Sequence, residues 1–207
     1  MKSETFWDGV ATSYAKRPMQ NLDQHERTIE RAASYLSAES EVLEVGCGTG
    51  TIALKLARFA KHIFAVDVSG ALLAIARERA QDSGASNVSF ARHDIADLPK
   101  GQFDAVMAFN VLHLLADMPE AVKQLASRTK PGGVVVTKTG VLGQTWQGQL
   151  LRPVIGLMRL VGKAPFVGFY SNKDVENAMK GAGLEVIEAE NMGGKISVRF
   201  LVARKIE

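Results

Sequence analysis

Residues 42–51 are Val-Leu-Glu-Val-Gly-Cys-Gly-Thr-Gly-Thr, an apolar run that leads directly into a glycine-rich turn. The run predicts a short strand buried on both faces, and segment 52–57 has the composition of a helix. Glycines at alternate positions remove Cβ atoms where the backbone turns sharply and approaches a ligand, while the helix start offers free N–H groups. This pattern favours a nucleotide-like ligand.

A second apolar run, residues 62–67, ends in Asp67 about twenty residues after the glycine turn. A carboxylate at this point can accept hydrogen bonds from both hydroxyls of a ribose. The alternative is that Asp67 caps the helix that starts near Ser69. The two roles are compatible.

Residues 44–50, followed by Val-Asp-Val-Ser at 66–69, resemble the class I S-adenosylmethionine-dependent methyltransferases. The resemblance is strong over residues 40–140 and looser at both ends. A nicotinamide-dependent dehydrogenase would carry Gly-x-Gly-x-x-Gly, so the glycine spacing disfavours that class. The resemblance implies S-adenosyl-L-methionine as cofactor. It also implies a Rossmann-like, doubly wound α/β fold: seven mostly parallel strands with an antiparallel last strand, and helices on both faces.

The resemblance and the order of the strands together predict the cofactor-binding residues. They are Glu44, Gly46, Cys47, Gly48, Thr49 and Gly50 in the first turn, Asp67 and Val68 after the second strand, Asp94 and Ile95 after the third, Asn110 after the fourth, and Tyr14 near the N-terminus. In the family, an acidic residue at the position of Asp94 accepts the adenine amino group, and Ile95 would lie against the adenine face. Asp97 is interpreted as a turn residue.

Two of these interpretations have alternatives that the sequence leaves open. Tyr14 either contacts the cofactor or only packs the N-terminal helices with Phe6 and Trp7. His113 follows Asn110 closely and is the candidate general base for an acceptor that must lose a proton, or else it is a packing histidine. No metal site is predicted.

The chain of 207 residues, with 46% hydrophobic and 23% charged residues, suits one domain. We expect a helical cap over 1–40, a cofactor-binding core over 41–139, a lid over 140–170, and a helix with a β-hairpin over 171–207. The net charge of +3, without a dense Lys/Arg block, gives little support for nucleic-acid binding. The single cysteine, Cys47, and the polar N-terminus are those expected of a cytoplasmic protein.

Segment 140–169 is rich in apolar residues and carries few charges, all of them basic. Such a segment can be a lid over an apolar acceptor, a peripheral membrane contact through 149–167, or a core helix packed on the sheet. The expected activity is methyl transfer from S-adenosylmethionine to a small, apolar acceptor such as a lipid, quinone precursor or hydrophobic metabolite. The alternative is a non-catalytic S-adenosylmethionine-binding partner or sensor domain.

Overall fold

The computed structural model describes residues 3–18, 21–193 and 197–206, and its centre is a seven-stranded sheet. The strands are β1 (Glu41–Val45), β2 (His62–Asp67), β3 (Val88–Arg92), β4 (Phe103–Phe109), β5 (Thr129–Gly140), β6 (Leu184–Met192) and β7 (Val198–Lys205). Their order is β3-β2-β1-β4-β5-β7-β6, and β7 runs antiparallel to both of its neighbours. The predicted fold class is confirmed.

Helices cover both faces of this sheet. They are α1 (Ser3–Ala15), α2 (Leu22–Ala33), α3 (Thr51–Leu56), α4 (Gly70–Ser83), α5 (Met118–Ser127), α6 (Trp146–Leu150), α7 (Arg152–Leu160) and α8 (Asn172–Gly181). One buried cluster joins the sheet to α5 and α8, and a second joins it to α2, α3 and α4. Strands β1, β2, β4, β5 and β7 place alternate side chains in the two clusters, as a doubly wound sheet requires.

The carboxyl ends of the first five strands lie at one edge of the sheet, because these strands are all parallel. The reversal of strand order falls between β1 and β4, whose helical connections cover opposite faces. In open α/β sheets, ligands bind at this edge, next to the point of reversal.

The bounds of β2 agree with the predicted run 62–67. The sequence also predicts a fourth strand over 103–109 and a fifth over 134–138; β4 has the predicted bounds, and β5 is longer. It begins at Thr129, before the Pro-Gly-Gly sequence, because Thr129 already pairs with Phe103 and the register shifts before Val134 pairs with Ala105. The predicted last strand, 196–203, begins at Ile196, which lies outside the described residues. The described strand ends at Lys205.

The side chain of Asp8 in helix α1 makes hydrogen bonds to the start of α4. Oδ1 of Asp8 accepts hydrogen bonds from Oγ of Ser69 at 2.6 Å and from the Ala71 N–H at 3.1 Å. Asp8 therefore accepts from one of the free N–H groups that every helix start presents. This contact holds α1 over the carboxyl ends of the strands.

The segment between β5 and α8 is not a core helix, so that alternative is wrong. Every residue of α7 is exposed except the half-buried Ile155, and Leu160 is 85% exposed. Two arginines of this helix stack on nearby rings, Arg152 on Phe169 and Arg159 on Phe166, at 5.1 Å each. Helix α7 therefore contacts its neighbours through these two cation–π pairs, and its apolar side chains are exposed to solvent.

Candidate functional site

A cavity of about 680 Å³ lies at the carboxyl edge of the sheet, roofed by α1 and α2. All of the predicted cofactor-binding residues line it except Gly50. The lining ones are Tyr14, Glu44, Gly46, Cys47, Gly48, Thr49, Asp67, Val68, Asp94, Ile95 and Asn110. Residues from the ends of β1, β2 and β4 and from the loop after β3 therefore share one wall.

The glycine turn gives the cavity a floor made of backbone. Gly46 has φ +72°, and a Cβ at this position would lie 2.8 Å from Cγ2 of Val111. A Cβ on Gly48 would lie 3.9 Å from Cε1 of Tyr14, so the tyrosine ring covers the turn. Only glycine combines this backbone geometry with such close neighbours at position 46.

The structure differs from the expectation at Gly50. This glycine is the N-cap of α3, with φ +73°, and a Cβ there would lie 3.0 Å from the Phe90 ring and 3.1 Å from Cβ of Ala76. It faces the packed interior between α3 and its neighbours and not the cavity. The third glycine of the motif serves close packing, as the third glycine of dinucleotide-binding turns does.

Asp67 is buried and its carboxylate is held by two backbone donors. Oδ2 accepts from the Gly48 N–H and Oδ1 from the Ser69 N–H, both at 2.9 Å. The cap of α4 is Ser69, whose Oγ accepts from the Leu72 N–H at 3.1 Å. Asp67 is therefore fixed at the cavity wall with one lone pair on each oxygen still free for a ligand.

Glu44 is the most deeply buried acid of the cavity wall, with 2% of its surface exposed. Burial, and then the charge of Asp67, raise the pKa of Glu44 to about 8. Its Oε2 has no hydrogen-bond partner within the described part of the chain. Burial also raises the pKa of Asp67. Two adjacent buried acids with spare acceptor sites fit a ligand that brings hydroxyl and ammonium groups.

The turn after β3 presents Asp94 and Ile95. Oδ1 of Asp94 accepts from the Ala96 N–H at 3.0 Å, which orients the exposed carboxylate at the cavity rim. Ile95 is half-buried and packs on the core while its outer side lines the cavity. Asp97 lies in the short turn that follows, as expected, and its N–H donates to the Asp94 carbonyl at 3.0 Å.

Asn110, at the end of β4, has a left-handed backbone with φ +58°. Its N–H donates to the Lys138 carbonyl over 2.7 Å, so the strained residue is fixed to β5. Non-glycine residues in this region cluster at functional sites. Its exposed side chain lines the cavity.

His113 is not one of the described residues that line the cavity. Its Nδ1 lies 3.3 Å from Oγ1 of Thr139 and 3.4 Å from the Gly140 N–H, on the far side of the β4–β5 pair. Burial lowers the pKa of His113 to about 4. The imidazole is neutral at pH 7 and a weak base, and its role as a general base stays a prediction.

Residues 42–133 match a family model described as a methyltransferase domain. This segment is a class I S-adenosylmethionine-dependent methyltransferase domain. The family predicted from the sequence, and S-adenosylmethionine as the cofactor of the domain, are confirmed.

Two curated relatives show similarity to the methyltransferase domain. Magnesium-protoporphyrin O-methyltransferase of Rhodobacter capsulatus is 37% identical over 109 residues, which are 51% of this chain and 49% of that protein. A ubiquinone biosynthesis O-methyltransferase of Acinetobacter baumannii is 33% identical over 113 residues, 53% of this chain and 47% of that protein. The chain spans about half the length of these relatives.

Two solved structures share the fold of this chain over nearly its whole length. The [4+2]-cyclase SpnF has a TM-score of 0.81 at 20% identity, covering 98% of this chain and 94% of its own. Magnesium protoporphyrin IX methyltransferase of Synechocystis PCC 6803, solved with bound S-adenosylhomocysteine, has a TM-score of 0.77 at 16% identity, covering 98% and 97%. Within the described residues, every helix is too short or too polar to cross a membrane.

Three residues that the sequence analysis did not predict also line this cavity. Arg79 donates to Oγ1 of Thr49 at 2.7 Å and to the Ala15 carbonyl at 3.2 Å, so it ties the glycine turn to α1. His25 of α2 and Lys138 of β5 line the side nearest β5. The sequence does point to Lys138, because a lysine follows the apolar run 134–136 at the edge of the sheet where ligands bind.

The two interpretations of Tyr14 are both compatible with its position. Its ring packs edge-on against Trp7, with centroids 5.9 Å apart, and the residue also lines the cavity. The Arg79 hydrogen bonds hold the end of α1 in this place. A ligand on the glycine turn would meet the Tyr14 ring from below.

Proposed function

We propose that this chain transfers the methyl group of S-adenosylmethionine to a small, largely apolar acceptor. The proposal rests on the residues that form the cavity wall. A backbone floor at Gly46 and Gly48 adjoins two buried acids, Glu44 and Asp67, that have unused acceptor sites. These groups match the charged and hydroxylated parts of the cofactor.

Each part of the cofactor has a residue suited to it. Asp67 has free lone pairs for the ribose hydroxyls, and the unpartnered Oε2 of Glu44 suits the methionine ammonium group. Asp94 suits the adenine amino group, and Ile95 offers the ring an apolar surface. The bound cofactor supplies a methyl group on a positively charged sulfur, which takes back the electron pair when the S–C bond breaks.

The contribution of the protein to the reaction is positioning and exclusion of water. Holding two reactants in line contributes up to about 7–11 kcal/mol in favourable intramolecular cases. The end of β4 borders both the glycine turn and the open part of the cavity, where the acceptor would lie. A base is required only if the acceptor must lose a proton.

The apolar character of the acceptor follows from the outer lining of the cavity. Val111, Leu114, Leu115 and Phe166 line this side. Two relatives carry names that refer to large apolar molecules, ubiquinone and magnesium-protoporphyrin. The relatives match over about half of their length, so they support the class of acceptor and not its identity.

We also propose that α7 rests on an anionic lipid surface and gives the acceptor access to the cavity. Residues 141–173 contain four basic residues, Arg152, Arg159, Lys163 and Lys173, and no acidic one. Leu157, Leu160 and Val161 are exposed beside these charges. Basic residues flanking an uncovered apolar helix face are the pattern of interfacial helices. Arg159 stacks on Phe166, which lines the cavity, so the helix and the cavity mouth are in contact.

The second candidate function is cofactor binding without methyl transfer. The fold neighbour SpnF, with a TM-score of 0.81, is a [4+2]-cyclase, so this architecture hosts other activities. Binding and turnover therefore need separate measurements. S-adenosylhomocysteine should raise the melting temperature and NAD should not. A shift with NAD alone would reject the cofactor assignment.

A further inference from the structure

Lys138 ends in the cavity without a counter-charge. The residue is 6% exposed and lines the cavity from β5. Across the described ranges, its ammonium group makes no ion pair or hydrogen bond with a protein side chain. Burial lowers the pKa of Lys138. An ammonium group in such a largely buried residue loses part of its hydration, and an anion in the cavity would compensate for that loss.

A second unpartnered nitrogen lies on the same side of the cavity. Nε2 of His25 is buried and has no hydrogen-bond partner in the described part of the chain. Burial first, and then the charges of Lys55 and Lys138, lower the pKa of His25. The imidazole is therefore favoured in its neutral form, which carries one N–H donor.

The neighbours of Lys138 in the sheet are apolar. In the sheet, Lys138 pairs with Phe109 on one side and Phe200 on the other, and both rings are buried. The acids of the cavity, Glu44 and Asp67, belong to β1 and β2 on the other side of the strand reversal. One side of the cavity is thus acidic and the other has uncompensated positive charge.

We propose that Lys138 and His25 form a binding site for a carboxylate group of the methyl acceptor. The acceptor would then be an amphipathic acid, whose apolar body lies along the β4–β5 side and whose carboxylate lies between the ammonium and the imidazole. This inference rests on the proposed function, since it places the acceptor beside the cofactor.

The strand order supports assigning this carboxylate to the acceptor and not to the cofactor. The groups that suit adenine, ribose and methionine follow β3, β2 and β1 in turn. Lys138 is on β5, two strands beyond β1, which is roughly 10 Å at the usual strand spacing. The β5 side of the cavity, beyond Asn110 at the end of β4, is therefore the space that the cofactor leaves.

The test compares 1-naphthoate with its uncharged analogue 1-naphthamide, titrated calorimetrically into protein saturated with S-adenosylhomocysteine. The wild type should bind naphthoate at least about tenfold more tightly than naphthamide. Lys138→Met should lose this preference, Lys138→Arg should keep most of it, and His25→Gln should reduce it. Lys123→Met, which removes an exposed lysine of α5, should behave as the wild type.

Two results would overturn the proposal. Equal binding of naphthoate and naphthamide by the wild type is the first. A loss of S-adenosylhomocysteine affinity of tenfold or more in Lys138→Met, with its preference for naphthoate unchanged, is the second, since the anion would then be the methionine carboxylate. Failure of the wild type to bind S-adenosylhomocysteine would instead reject the proposed function. In that case, the preference of the cofactor-free protein for naphthoate tests the Lys138–His25 site independently of the cofactor. If Lys138→Met does not fold, the Lys138→Arg and His25→Gln variants test the same site.

Discussion

The Gly48 N–H donates to Oδ2 of Asp67 over 2.9 Å, so the glycine turn after β1 and the acid at the end of β2 are one unit. The two residues are nineteen positions apart in sequence. Their contact fixes both the floor and the wall of the cavity before any ligand binds. Because these residues are already ordered, less conformational entropy is lost when the ligand binds.

Replacing Asp67 should abolish cofactor binding. Asp67→Ala removes the ribose acceptor and leaves the Gly48 and Ser69 N–H groups unpartnered, which costs roughly 1–3 kcal/mol for each buried group. The melting-temperature rise caused by S-adenosylhomocysteine in the wild type should disappear. Asp97→Ala, at an exposed acid in the nearby turn, is the control and should retain it. An unchanged shift in Asp67→Ala would remove the ribose assignment.

Substitution of Gly46 should destabilise the protein more than substitution of Gly84. Both glycines have positive φ, but only the Cβ of Gly46→Ala would meet Val111, at 2.8 Å. We expect a loss of roughly 2–4 kcal/mol for Gly46→Ala and about 1–2 kcal/mol for Gly84→Ala, from urea denaturation. Adding Val111→Ala should recover part of the loss at position 46 and none at position 84. Equal losses in the two single variants would show that the contact with Val111 is unimportant.

The contribution of Glu44 to the stability of the ligand-free protein should fall as pH rises from about 4.5 to about 8. Glu44 has its pKa raised from 4.5 to about 8 on folding, so the folded protein keeps a proton that the unfolded chain has released. This contribution is complete below the lower value and is lost as pH passes the upper one. The urea midpoint of Glu44→Gln should rise relative to that of the wild type across this window and exceed it above pH 8. Parallel pH profiles for the two proteins would contradict the burial of an unpaired acid.

Substitution of His113 tests whether its imidazole acts as a general base. Because His113 contacts Thr139 and Gly140, His113→Gln should lower the melting temperature. We expect kcat to stay within about tenfold of the wild type, whereas loss of a positioned base would lower it by 10²–10⁴-fold. Thr139→Val, which removes the hydroxyl partner, is the matched control. A fall in kcat of at least about a hundredfold at unchanged melting temperature would instead identify His113 as the base.

Charges introduced on α7 should release the protein from lipid. Leu157→Glu with Leu160→Glu places two carboxylates on the exposed face, and because neither residue is buried the melting temperature should not change. Co-sedimentation with vesicles containing phosphatidylglycerol should be lost, while affinity for S-adenosylhomocysteine remains. Gln81→Glu with Gln102→Glu, which adds the same charge at two exposed positions outside residues 141–173, is the control. If the wild type does not sediment with these vesicles, the surface has another role.

The sequence predicted the parts of the molecule that depend on local patterns. The glycine turn, Asp67 at the end of a strand, and the bounds of β2 and β4 all follow from short runs of residues. Contacts between distant segments were not predictable in this way. Asp8 on Ser69, Arg79 on Ala15, and the burial of Lys138 between β4 and β7 depend on packing that brings separate elements together.

Gly50 and the 140–169 segment show the opposite case, in which a local pattern was ambiguous. A glycine in a cofactor motif can serve the ligand or the packing of a helix, and only its neighbours Phe90 and Ala76 distinguish the two. An apolar helix can be buried or exposed, and the exposure of α7 excludes the core position.

Transfer of a labelled methyl group shows whether this protein methylates an apolar acceptor. The protein would be incubated with methyl-labelled S-adenosylmethionine and a cell extract, and the label then partitioned into organic, aqueous and precipitated-protein fractions. We predict label in the organic fraction, dependent on the protein and lost in Asp67→Ala. Label confined to protein or to the aqueous fraction would contradict the apolar acceptor, and no label, despite a melting shift with S-adenosylhomocysteine, would contradict methyl transfer itself.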